Sequence, residues 1–368
     1  MKAMGFPLVY KLGDGLLDNI GEYVRPFGKK PLVVADAFVR SLYEEALVQA
    51  LKREDITPLF VDFGGECSPA AIESASQKAR DEGCDCVLGF GGGKAIDTAK
   101  AVKIETGIHV IIVPTIASND SATGRLAITY NDDGTFIGPR FLENNPDAVL
   151  VDTGIVARAP VRFFIAGIAD ALVTKFEADQ CVASGCDNFF GARPTEAAIC
   201  LADACYTIVR KYAPEAVRHV REQRVSEAVE KVVEANTLLS GLGFEGCGVA
   251  AAHAIGMALA DLPGAKGVLH GEEVALGLIA QFMLEKRDDA FMKDMLDFYT
   301  AVGLPASLKD LGIPEPDAEQ LRKTATFVLR PKSRIHNMSI PVTIESVEEA
   351  ITQANKFVAA YRAGSSDS

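Results

Sequence analysis

Strand-like and helix-like segments alternate along this chain as far as Asp152, and beyond that point strand-like runs stop. Pro31–Ala35 reads as a strand ending at Asp36, and Ser41–Arg53 has the apolar spacing of a helix. Pro58–Phe63 is a second strand, Ala70–Glu82 a helix, and Cys84–Phe90 a third strand. A helix over Ala95–Val102 and a buried strand over His109–Val113 follow. Such alternation predicts a parallel sheet with flanking helices, because parallel neighbours need a crossover long enough to hold a helix. Leu126–Tyr130 and Ala148–Asp152 are expected to add two strands, with Asn131–Gly134 as a turn signal between them. The rest is rich in Ala, Leu and Glu and reads as all-helical. The 368 residues suffice for two cores, with an expected boundary near Thr153–Pro160, giving domains 1–155 and 156–368.

Within the alternating part, Gly91-Gly92-Gly93-Lys94-Ala95-Ile96-Asp97 joins a buried strand to a helix start. Glycines there let a phosphate approach the backbone, and the unpaired N–H groups and dipole of the helix favour negative charge. Asp36 ends the first clear strand. An acid at such a strand end accepts hydrogen bonds from an adenosine ribose and repels a 2′-phosphate, which favours NAD over NADP; it serves equally as a helix N-cap. The order is unusual, since in the common dinucleotide fingerprint the glycine turn precedes the acid. GxGxxG is absent, and Ala95 after Lys94 excludes a P-loop. Pro114-Thr115-Ile116-Ala117-Ser118-Asn119-Asp120 follows another buried strand. Polar groups there face the crevice where parallel sheets bind ligands: Thr115 and Ser118 suit a nucleotide, and Asp120 a substrate hydroxyl.

In the helical half, Asp170 stands inside the apolar run Ile165–Val173, where a carboxylate costs several kcal/mol unless it is paired or ligates a metal. His253 lies among small residues in Val249–Gly256, and His270 opens an apolar helix beside Gly271-Glu272-Glu273. One acid and two histidines make a three-ligand set with an open position, the pattern of a catalytic zinc. Spacing leaves Glu273 as an alternative to Asp170. His336 is a weaker candidate, and His109 and His219 read as structural or exposed. Zn²⁺, Fe²⁺ and Ni²⁺ all accept such donors.

A net charge of −13 repels nucleic acid and anionic membranes, and no apolar run approaches the roughly 20 residues of a transmembrane helix. Met1–Tyr10 carries Pro7 and no sustained apolar stretch, so a cytoplasmic protein without a signal peptide is expected. The eight cysteines contain no CxxC pair and are expected to be reduced.

Many short stretches, in order along nearly the whole chain, resemble the glycerol dehydrogenases of the iron-containing, or group III, alcohol dehydrogenase superfamily. They are Phe63–Ser68, Gly91–Lys100, Pro114–Ser118, Asp120, Asn144–Pro146, Gly167-Ile168, Asp170–Leu172, Glu234–Thr237, Ala250–Ala254, His270–Glu272 and Ile335–Met338. The resemblance implies a dehydroquinate synthase-like architecture: an N-terminal dinucleotide-binding α/β domain, an all-α C-terminal domain, and an active site in the cleft between them. It implies Asp170, His253 and His270 as ligands of Zn²⁺ or Fe²⁺. It places NAD on Asp36, Gly92, Gly93, Lys94, Ala95, Ile96, Asp97, Thr115, Ile116, Ser118, Leu126 and Tyr130, and the polyol on Asp120. It also implies a homo-oligomer, often an octamer.

Gly124 and Arg125 stand where such enzymes usually carry a serine and a small residue. Losing the hydroxyl removes one expected cofactor contact, whereas an arginine suits a phosphate or a substrate carboxylate. The function expected is metal-assisted, NAD-dependent oxidation of glycerol or a similar vicinal diol to the hydroxyketone, and the reverse. The alternatives are a 2-oxo or 2-hydroxy acid dehydrogenase on the same scaffold, prompted by Arg125, and a sugar-phosphate cyclase. The cyclase would need a clustered Lys/Arg pocket that the segments around the proposed ligands lack.

Overall fold

Pro31–Ala35, Cys86–Gly91 and Ala148–Asp152 are buried along their whole lengths in the computed structural model, which describes residues 1–365. Strands buried on both faces are those of a parallel sheet covered by helices. The strands are β1 (Val9–Gly13), β2 (Pro31–Ala35), β3 (Leu59–Asp62), β4 (Cys86–Gly91), β5 (His109–Pro114), β6 (Leu126–Tyr130), β7 (Phe136–Phe141) and β8 (Ala148–Asp152). Six form one parallel sheet in the order β1-β8-β5-β4-β2-β3. Among the described residues no strand follows β8, and the remainder is largely helical.

The strand order answers the puzzle of the reversed motif. From β2 the chain steps outward to β3, then returns to the other side of β2 for β4 and continues away through β5. The reversal lies between β2 and β4, which pair with Val34 opposite Gly89. Asp36 and Gly91, each two residues further on, therefore stand at the carboxyl ends of neighbouring strands. Ligands of open parallel sheets bind at such a switch point. Adjacency in the sheet, rather than order in the sequence, brings the acid to the glycine turn.

Two strands depart from expectation. β6 does not join the parallel sheet; it pairs antiparallel with β7, which the sequence did not reveal. Gly138 and Pro139 interrupt β7, and its outward residues are exposed, so it lacks the apolar alternation of a half-buried strand. The turn at Asn131–Gly134 closes this hairpin, with Gly134 N–H donating to the Asn131 carbonyl at 2.9 Å. β1 also went unread, being five residues of mixed polarity at a sheet edge.

The chain forms two compact units. One comprises Gly5–Phe164 with Arg218–Gly241, and the other Met1–Met4, Ile165–Val217 and the chain from Leu242 onward. The part expected to be helical from residue 156 thus contributes 156–164 and 218–241 to the sheet's unit. In that unit Val33, Leu88, Phe90, Ile111 and Leu150 pack with Leu17, Ile20, Val24, Leu47 and Leu51. Each such side chain contributes about 1.5–3 kcal/mol by leaving water. Four helices matter below: α1 (Gly93–Thr106), α2 (Val161–Ser184), α3 (Ala251–Leu259) and α4 (His270–Leu284). In the second unit Ala254, Ile255 and Ala258 of α3 share a core with Leu276 and Ala280 of α4. All eight cysteines are unbridged. Among the described residues no single helix is long and apolar enough to cross a membrane.

Candidate functional site

The glycine turn has ordinary negative backbone angles at its helix cap: Gly92 takes φ −84°, ψ −172° and precedes α1. Glycine is needed there for closeness. A Cβ on Gly92 would lie 2.9 Å from Cδ1 of Ile116. The loop after β5 is pressed onto the turn, and Thr115 N–H donates to the Gly91 carbonyl at 3.0 Å. Asp36 N-caps the helix Ala37–Lys52, its Oδ1 accepting from Val39 N–H at 2.9 Å. Lys94 in the first turn of α1 pairs with Glu66, and its ammonium lies 5.8 Å from the centre of the Tyr130 ring. Ala95, Ile96 and Asp97 face inward and are buried. The Asp97 carboxylate accepts from Ile128 N–H at 3.0 Å. Burial pushes its pKa up, and Lys100 and the Ile128 N–H pull it part of the way back.

Ser118 is half-buried in the same loop, and the carbonyl of Leu126 accepts from Lys100 Nζ at 2.7 Å. Asp120 is 9% exposed, and its Oδ2 accepts from the Ser240 hydroxyl at 3.0 Å. A π-helical turn at Ala235–Leu239 braces this loop: Asn236 Nδ2 donates to the Ala117 carbonyl, and Thr123 Oγ1 donates to the Thr237 carbonyl. Arg125 lies along the β6–β7 hairpin, its guanidinium 5.8 Å from the centre of the Phe141 ring and its Nη1 donating to the Glu143 carbonyl at 3.5 Å. Gly92→Val is expected to prise Ile116 off the turn; with a dinucleotide on the turn, as the sequence predicts, NADH binding should weaken at least tenfold in a fluorescence titration.

In the other unit the structure brings Asp170, His253 and His270 to one point. Asp170 on α2 is 1% exposed, and its Oδ1 lies 3.5 Å from His253 Nε2 and 3.7 Å from His270 Nε2. The three donor atoms lie within 4.8 Å of one another. Tetrahedral donors about 2.0–2.1 Å from a zinc ion sit roughly 3.3–3.5 Å apart, so the set fits a divalent cation after small adjustment. The donor chemistry agrees: one carboxylate and two imidazoles suit Zn²⁺ or Fe²⁺. Three protein ligands leave coordination open, and His270 is 39% exposed, so the open side is reachable.

Small residues permit this convergence. A Cβ on Gly271 would fall 1.9 Å from the Ala166 carbonyl oxygen, so only glycine lets the start of α4 reach α2 one turn before Asp170. Gly271→Ala is therefore expected to displace His270 and weaken Zn²⁺ binding by at least tenfold in a chelator-competition titration.

Carboxylates dominate the electrostatics of the triad. Burial alone lowers the His253 pKa, but the carboxylates of Glu177 and Asp170 outweigh it and hold the imidazole well above its usual range. His270 is likewise raised, because Glu273 and Asp170 overcome burial and the repulsion of His253. Glu273, the alternative ligand, stands on the far side of the His270 ring, its Oε2 3.8 Å from Nδ1. Asp170 therefore occupies the shared position. His336 is engaged elsewhere, its Nε2 3.3 Å from the Arg330 carbonyl. His109 pairs with Asp147 at 3.1 Å, and His219 Nδ1 lies 2.6 Å from Ser226 Oγ.

Two site residues escaped the sequence reading. Ser240 on Asp120 is one. The other is Glu177, whose fully buried carboxylate lies 2.5 Å from His253 Nδ1. Its signal was present: Glu177 follows Asp170 by two helical turns, so two acids share one face of an apolar helix.

Residues 7–153 match the family described as iron-containing alcohol dehydrogenase. Over 96% of its length the chain is 41% identical to a glycerol dehydrogenase of Thermotoga maritima, covering 96% of that protein. Over 95% of its length it is 40% identical to a glycolaldehyde reductase of Halobacterium salinarum, covering 96% of it. The crystal structure of glycerol dehydrogenase from Schizosaccharomyces pombe matches with a TM-score of 0.96 at 34% identity, over 100% of this chain and 93% of that one.

Proposed function

From a chain that belongs to the iron-containing alcohol dehydrogenase family, and so is an oxidoreductase acting on CH–OH groups, we propose an NAD-dependent, metal-assisted enzyme of small vicinal diols. Glycerol or a similar diol is oxidised to the hydroxyketone, and the hydroxyketone is reduced in the reverse direction. The observation that carries this reading is the convergence of Asp170, His253 and His270, three donors with an open side. When bound, the cation supplies Lewis acidity that lowers the pKa of a substrate hydroxyl, and NAD supplies the hydride acceptor.

The chain's own residues do the rest. Asp170, His253 and His270 would hold the cation and, as three protein donors, would leave coordination for substrate oxygens. That fits both glycerol and glycolaldehyde, which carry oxygens on adjacent carbons. Asp120, whose Oδ2 accepts from Ser240, is proposed as the residue that takes a polyol hydroxyl. Gly92, Gly93 and the first turn of α1 receive the pyrophosphate, with Thr115, Ile116, Ser118, Leu126 and Tyr130 around the nucleotide. Asp36 accepts from the ribose hydroxyls and repels a 2′-phosphate. The protein is proposed to work as a homo-oligomer in the cytoplasm.

The test is a panel of vicinal diols, hydroxyaldehydes and hydroxyketones, and 2-hydroxy and 2-oxo acids, each with NAD(H) and NADP(H), before and after chelation. Diol oxidation with NAD, lost on chelation and restored by Zn²⁺, is the expected result. Turnover indifferent to chelation, or confined to the acids, would overturn it.

A further inference from the structure

We propose that Glu177 is a positioning residue that selects the ligating tautomer of His253. The inference rests on the metal-site reading above and assigns a role to a side chain outside the ligand set. Glu177 lies on α2, and its carboxylate is fully buried. Its Oε1 accepts from the backbone N–H of Ala250 at 2.8 Å and of His253 at 2.9 Å. Its Oε2 faces His253 Nδ1 at 2.5 Å. Gln281 supplies a second acceptor, taking Ala252 N–H at 2.9 Å. Together they satisfy N–H groups at the start of α3, where Ala250 provides no side-chain cap.

The two oxygens of Glu177 do different work. Oε1 anchors the backbone on which His253 stands. Oε2 lies at hydrogen-bonding distance from Nδ1 as an acceptor, so the proton of that contact belongs on Nδ1. The lone pair of the neutral imidazole is then on Nε2, the atom that faces Asp170. In a neutral imidazole one nitrogen donates and the other accepts, so the partner of one atom decides what the other can bind. A carboxylate behind a ligating histidine also raises its basicity and fixes the ring.

Glu177→Gln separates the two roles. Glutamine has the same shape and keeps one oxygen. If that oxygen stays on the Ala250 and His253 N–H groups, the amide NH₂ faces Nδ1 and drives the proton to Nε2, where it blocks ligation. The flipped amide would instead set NH₂ against two backbone donors at once, so the first arrangement is favoured. The cap survives and the tautomer is wrong.

The experiment strips the full-length protein with a chelator, titrates it with Zn²⁺ against a chromophoric competitor, and records the visible spectrum of the Co²⁺-loaded form. Thermal unfolding of the stripped chain and NADH binding report the fold. Glu177→Gln is expected to lower Zn²⁺ affinity about 10–100-fold and to change the Co²⁺ spectrum, while the stripped protein unfolds near the wild-type temperature. Glu177→Asp, which keeps two acceptor oxygens, is expected to bind Zn²⁺ more tightly than the glutamine variant. Wild-type affinity in Glu177→Gln, or a glutamine variant that equals or exceeds Glu177→Asp, overturns the proposal. A wild-type chain that takes up no Zn²⁺ instead overturns the metal reading on which it rests.

Discussion

Replacing His253 with alanine is expected to cut kcat/KM for diol oxidation about a thousandfold, which corresponds to roughly 4 kcal/mol of transition-state stabilisation. The reason is the size of the ligand set. Asp170, His253 and His270 are the three donors, and His253 is the one whose ring is buried and backed by Glu177. Without it, Asp170 and His270 remain, a pair too weak to retain the cation at ordinary concentrations. Metal content measured on the purified variant should fall well below one ion per chain. NADH binding should survive, because the turn at Gly92 and the loop at Thr115 belong to the other compact unit. Normal turnover with normal metal content would show that these residues are not the ligands.

Lys100→Met is expected to have the second largest effect, on stability rather than on chemistry. Lys100 is fully buried, yet its ammonium is well supplied with partners. Nζ donates to the Ser121 carbonyl at 2.5 Å and the Leu126 carbonyl at 2.7 Å, and lies 3.5 Å from Asp97 Oδ1. It ties α1 to both ends of the segment that carries Thr123, Gly124 and Arg125. Methionine fills the space and removes the charge, leaving Asp97 buried without its counter-ion and two carbonyls without their donor. Breaking one side of such a pair costs about 3–5 kcal/mol. The measured result should be a lower denaturation midpoint together with weaker NADH binding. Adding Asp97→Leu should recover part of the loss, since replacing both partners with apolar groups is far less costly than removing one. A Lys100→Met protein as stable as the wild type would mean that the buried ammonium braces nothing.

Local signals were legible wherever burial and periodicity agreed. β2 and β8 were legible residue for residue, and β4 and β5 to within a few residues, because strands covered on both faces are continuous apolar runs. β1 and β7 carry no such run, and the hairpin of β6 and β7 sits outside the parallel sheet. The three candidate donors that the structure brings together were legible because polar residues among apolar neighbours are costly unless they have a partner. Glu177 shows in the sequence only as a second acid on the helix face of Asp170, and packing alone decides which of the two meets Nδ1 of His253 and which meets Nε2.

The sequence by itself determined the chemistry available: a glycine turn at a helix start, an acid at a strand end, and one carboxylate and two imidazoles in apolar helices. It did so because these are properties of a residue and its near neighbours. Only the tertiary structure decided which groups meet. The strand order put Asp36 beside Gly91, and the contact of Gly271 with Ala166 set His270 against Asp170 with Glu273 on the other side of the ring. Those outcomes depend on packing between elements far apart in the chain, which no local pattern encodes.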